Sequence, residues 1–160
     1  MLVRHHRLRI IFAMMNELKK PKFYSNHRYR QGQNKEQPLE SNNNIKELLL
    51  NDKLNILDIG FGTGTSTKQL YSSDKNNYFC IESYMQGINN LKKYIKLNEI
   101  KNICIFHGDA TDIISEILPN ESIDEILIFF PDPWPKTKHH KRRLINPYTL
   151  NLFFSKLKKD

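Results

Sequence analysis

The sequence predicts an α/β fold, the N-terminal half of a doubly wound parallel sheet, and three features carry that prediction. Four short apolar runs alternate with segments of helical spacing from residue 45 onward. Each run is apolar at consecutive positions, as in strands covered by helices on both faces. The first run closes on a glycine cluster, "DIGFGTG", the kind of turn that joins a strand to a helix.

The elements follow in order. Residues 1–44 hold no sustained period, are rich in His, Arg, Asn and Gln, and read as a mobile basic N-terminal arm. "SNNN" (41–44) then caps a short helix through Leu50. "LNILDIG" (54–60) is a buried strand closed by glycine, and "TSTKQLYSS" (65–73) a helix opened by hydroxyl residues. "NNYFCIE" (76–82) is the second strand; the helix after it (83–98) sets Ile88, Leu91 and Ile95 on one face. "NICIFHGD" (102–109) and "TDIISEIL" (111–118) are the third strand and helix. "IDEILIFF" (123–130) is the fourth strand, and "PYTLNLFFSKLKK" (147–159) opens a fourth helix of the repeating pattern. Residues 45–160 therefore form one domain behind the arm. A helix with no strand after it predicts that the sequence is a fragment of a longer chain.

Bulk properties narrow the class. A chain of 160 residues with 39% hydrophobic and 11% aromatic residues can bury a core. Its net charge of +8 favours an anionic partner such as nucleic acid or a membrane surface. Residues 1–35 hold nine Lys/Arg against one acid, and residues 131–147 five against one. The two cysteines, Cys80 and Cys104, lie in apolar runs without metal-ligand spacing, which fits a reducing cytosol and a cytoplasmic protein. No apolar run reaches the roughly 18–20 residues of a membrane span. The start, "MLVRHHRLRIIFAMM", is Arg-rich but lacks serine, so a start codon read too early, before Met14 or Met15, explains it better than a transit peptide.

The chemistry gathers at the strand ends. In open α/β sheets ligands bind outside the carboxyl ends of the strands, where strand order reverses. With the order 3-2-1-4, that crevice lies between "LDIGFGTGT" after the first strand and "FFPDPWPK" after the fourth. Gly60, Gly62 and Gly64 let a ligand approach the backbone, but a dinucleotide fingerprint from Gly60 needs glycine where Thr65 stands. Asp58 adds negative charge near a would-be pyrophosphate. It suits a ligand carrying an ammonium or sulfonium cation, favouring S-adenosylmethionine over a nicotinamide dinucleotide. Glu82, 20 residues beyond Gly62, can accept both ribose hydroxyls of an adenosine; locally it is also an ordinary charge at a helix start. Asp109 can accept from an adenine amino group or simply cap the next helix. Acids thus close all four strands on one sheet edge. Trp134 reads equally as a stacking platform for an extruded base or as a plug beneath its loop.

The strings "LDIGFGTG", "IE", "GDA" and above all "FFPDPWPKTKHHKRRLINP" resemble the bacterial tRNA (guanine-N7)-methyltransferases. "YRQGQNKEQ" (29–37) is similar to the arginine-rich N-terminal segment of that family, with Gln33 where a basic residue usually stands. The resemblance covers residues 26–160 and ends before the family's later substrate motifs. It implies a Rossmann-like, class I S-adenosylmethionine-dependent methyltransferase fold, with Asp58, Gly60, Glu82, Asp109 and Asp132 at the cofactor. It makes Asp132 the active-site residue and Lys136 a contact of the tRNA substrate, with no metal. The implied reaction moves a methyl group to N7 of a guanine in the tRNA variable loop. Lys136 to Arg143 are expected to grip phosphates. Turnover by these 160 residues alone is expected to be weak or absent. The alternative is a catalytically incomplete module that only binds RNA and S-adenosylmethionine.

Overall fold

A computed structural model describes residues 45–71 and 75–159; the basic arm expected over residues 1–44 lies outside them. The described chain runs α1 (Ile45–Leu50), β1 (Leu54–Ile59), α2 (Thr65–Leu70), β2 (Asn76–Glu82), α3 (Met85–Leu97), β3 (Ile103–His107), α4 (Ala110–Glu116) and β4 (Glu125–Ile128). A 3₁₀ helix (Thr137–Arg142) and α5 (Pro147–Lys156) complete it. The four strands form one parallel sheet in the order β3-β2-β1-β4, as the sequence predicts.

Strand alternation divides the core into two layers. Leu57, Ile59, Phe79, Ile81, Cys104 and Phe106 point to one face, where Ile113 and Ile114 of α4 and Phe153 of α5 cover them. Ile56, Cys80, Ile103 and Ile105 point to the other, under Ile88 and Leu91 of α3 and Tyr71 beside α2. Both cysteines are buried thiols. Helix starts obey local chemistry. Asn146 caps α5 in a reciprocal capping box with Thr149, with Pro147 in the first turn, where its missing N–H costs no bond.

The fourth strand is shorter than its apolar run. Regular pairing runs only over Glu125–Ile128; before it, Asp124 clasps Asn55, its amide donating to the Asn55 carbonyl at 2.8 Å and its carboxylate accepting from the Asn55 amide at 2.8 Å. Just past α5, Leu157 pairs in parallel with Ile123. Lys158 reinforces that return through an ion pair to Asp124 at 2.7 Å. Among the described residues no helix is long and apolar enough to cross a membrane.

Candidate functional site

The parallel register brings the carboxyl ends of all four strands to one edge, and a cavity of about 250 Å³ opens there. Gly60, Glu82, Asp109, Phe130, Asp132 and Arg142 line it. Gly60, Glu82, Asp109 and Asp132, singled out from sequence, are thus brought together. Asp58 and Lys136 lie outside the lining.

The turn after β1 needs its glycines, because Gly60, Gly62 and Gly64 all have positive φ (77°, 57° and 78°). Glu82 holds the turn from β2. One carboxylate oxygen accepts from the Gly62 amide at 2.6 Å, the other from the Ser83 amide at 2.6 Å and the Tyr84 amide at 2.9 Å. Each carboxylate oxygen has two lone-pair sites, so Glu82 can still accept from a ligand hydroxyl. Asp109 caps α4: its Oδ1 accepts from the Thr111 amide at 2.9 Å and from the Thr111 hydroxyl. Both local readings of these acids are therefore realised, and both residues also line the cavity.

Asp58 takes a different position. Its side chain is buried on the α2–α3 face, where it accepts from the Tyr71 hydroxyl at 2.6 Å and the Thr67 hydroxyl at 3.3 Å. Its Oδ1 is enclosed without a hydrogen-bond partner. Burial pushes the Asp58 carboxyl above its ordinary range, against the lowering effect of the Tyr71 and Thr67 hydroxyls. The folded chain therefore holds this proton more tightly than the unfolded one. The stability that Asp58 contributes is complete below the ordinary carboxylate pKa and is lost as pH rises through the raised value. Asp58→Asn removes that loss. In urea unfolding at about pH 4 and about pH 8, the variant should gain on the parent at the higher pH. An offset equal at both pH values would show that Asp58 titrates as in the unfolded chain.

The segment after β4 carries the least regular backbone. Phe130 and Trp134 have φ of 50° and 38°, a region that costs a non-glycine residue roughly 1–3 kcal/mol. Phe130 is 96% exposed at the cavity rim. Trp134 is half-buried, with the Arg142 guanidinium 5.1 Å from its ring centre and the His139 ring edge-on at 5.3 Å. Both side chains come from the 3₁₀ helix, which folds back on the proline-rich turn. His139 is held below its ordinary pKa by partial burial and by the cations of Arg142, Lys138, Lys136 and Lys141.

The basic run is therefore divided in use. Arg143 donates to the carbonyls of Pro133 at 3.0 Å and Trp134 at 3.3 Å, whereas Lys136 and Lys138 stay exposed. Sequence reasoning read the run as one phosphate grip and missed the inward role of Arg142 and Arg143. It also passed over Gly87, whose added Cβ would stand 1.7 Å from the Gly62 carbonyl oxygen. A glycine inside a predicted helix was the available signal. For Phe130 there was none, since a fourth apolar strand accounted for it. Among the described residues no group of three or more His, Cys, Asp or Glu side chains could hold a metal ion.

Comparison with known proteins agrees with this architecture. A tRNA (guanine-N(7)-)-methyltransferase of Nitrosococcus oceani is 45% identical over 104 residues, 64% of this chain and 44% of that protein. One of Corynebacterium diphtheriae is 42% identical over 104 residues, 64% of this chain and 40% of that protein. The chain thus spans less than half the length of these curated relatives. The Haemonchus contortus structure titled Phospholethanolamine N-methyltransferase 2 matches with a TM-score of 0.50 at 13% identity, over 66% of this chain and 22% of that one. It shares the fold. A family model described as "Putative methyltransferase" (Methyltransf_4) matches residues 52–160, and the chain belongs to that family.

Proposed function

We propose that this chain serves methyl transfer from S-adenosylmethionine to N7 of a guanine in the variable loop of tRNA, in the cytoplasm. One observation carries the reading: Gly60, Glu82 and Asp109, from the ends of three strands, share a cavity with Asp132 from the turn after the fourth. The family resemblance of "FFPDPWPKTKHHKRR" and the names of the relatives support it.

The residues fit the donor. The open glycine turn accepts a close ligand, Glu82 retains a lone-pair site for a ribose hydroxyl, and Asp109 can accept from the adenine amino group. S-adenosylmethionine supplies an electrophilic methyl group on a sulfonium centre. Guanine N7 has an in-plane lone pair and needs no base to free it. The ring becomes cationic as it gains the methyl group, and the Asp132 carboxylate stabilises that charge. Phe130 presents an aromatic face at the rim on which a base can stack, and Lys136 and Lys138 offer charge to phosphates without reading sequence.

The test incubates the chain with methyl-labelled S-adenosylmethionine and tRNA lacking 7-methylguanosine. Slow labelling recovered as 7-methylguanosine is expected. Label at another position, or tRNA binding with no transfer, would sink the reading for this chain; the latter outcome is what a binding-only module gives.

A further inference from the structure

We infer that Arg143 is a positioning residue: its guanidinium locks the left-handed kink at Trp134 and so sets where Asp132 stands in the cavity. The inference rests on the proposed methyl transfer for its functional consequence, but its structural content stands apart from it.

Segment 131–135 reads Pro-Asp-Pro-Trp-Pro, so three of its five residues lack an amide donor. Such a stretch cannot hold itself by a backbone ladder, and its carbonyls are open to donors from elsewhere in the chain. Arg143 supplies them for two adjacent peptide groups. Its Nε donates to the Pro133 carbonyl at 3.0 Å and its Nη2 to the Trp134 carbonyl at 3.3 Å. Those carbonyls belong to the peptide planes on either side of the Trp134 α-carbon. One rigid, planar group bonded to both fixes their relative rotation, which is the φ and ψ of Trp134. That φ is 38°, a conformation that persists only where its surroundings impose it.

The anchor is itself held. The Arg143 amide donates to the His140 carbonyl at 3.0 Å, and the Arg143 carbonyl accepts from the Asn146 side chain at 3.1 Å, which caps α5. The turn that carries Asp132 is thereby tied to the first turn of α5 rather than left to solvent. A lysine keeps the charge but cannot span two carbonyls with one flat fork. The chemistry therefore asks for arginine at this position in particular.

Trp134 is the one tryptophan of the sequence, so its emission reports the kink directly. Arg143→Lys and Arg143→Ala should red-shift that emission and raise its quenching by acrylamide, while Lys138→Ala, at an exposed neighbour, leaves both unchanged. In single-turnover assays Arg143→Lys should slow transfer roughly ten- to a hundredfold, with S-adenosylmethionine affinity and the salt slope of tRNA binding kept. Emission and quenching unaltered in both variants would overturn the inference. So would a salt slope lowered by about one in Arg143→Ala and restored in Arg143→Lys, which marks a phosphate contact. If no form of the chain transfers methyl, the proposed function fails, yet the emission measurements still decide the role of Arg143.

Discussion

Asp132→Asn is expected to lower the rate of the proposed methyl transfer by about 10²–10³-fold, or roughly 3–4 kcal/mol in the barrier, with the fold intact. The substitution is nearly isosteric and falls on an exposed residue between Pro131 and Pro133, so local packing has little to lose. What disappears is the negative charge in the cavity that also holds Glu82 and Asp109. A charge that acts on the developing purine cation matters more in the transition state than in the bound ground state, so the loss falls on turnover. Initial rates at saturating donor, set beside equilibrium dialysis of S-adenosylmethionine, separate the possibilities. A rise in the dissociation constant with turnover preserved would reduce Asp132 to a donor contact.

Gly87→Ala should destabilise the domain by at least about 1–3 kcal/mol, the usual range for overpacking, although the same exchange in an ordinary helix stabilises. Within a helix interior alanine is favoured over glycine by roughly 0.5–1 kcal/mol. At Gly87 the new Cβ would lie 1.7 Å from the Gly62 carbonyl oxygen and 2.8 Å from its carbon. Neither atom belongs to a flexible side chain. Either α3 lifts from the sheet, or the glycine turn shifts and breaks the 2.6 Å bond from the Gly62 amide to Glu82. Thermal melts should show Gly87→Ala several degrees below the parent. Asn89→Ala, at an exposed position of the same helix, should melt at or slightly above it. A Gly87→Ala melt equal to the control would show that the first turn of α3 yields easily, and donor affinity would then be unharmed.

These results bear on how much of the molecule is written locally. Strand and helix types, their order and the sheet order followed from apolar runs and from glycine at one turn, because burial on both faces leaves no other period available. The element ends were less legible. The run 123–130 promised a longer strand, but regular pairing begins only after Asp124, which clasps Asn55, and Phe130 turns through a left-handed φ. Neither event has a local signal. A propensity cannot register a partner 69 residues away.

For the site, residue types at strand ends were enough to propose Gly60, Glu82, Asp109 and Asp132 together. A parallel sheet places every carboxyl end on one edge, so topology alone converts those positions into neighbours. Side-chain direction was beyond that reasoning. Asp58 ends the same strand as its loop, yet its parity turns it to the α2–α3 face and away from the cavity. The basic run after Trp134 is uniform as charge, but a 3₁₀ helix splits it by direction: Arg142 and Arg143 turn inward on the tryptophan, while Lys136 and Lys138 face solvent. Charge and spacing determined that a cation-lined loop stands beside an acid-lined crevice. Only the folded backbone decided which cations hold the loop and which remain for a partner, since that depends on carbonyls freed by three prolines.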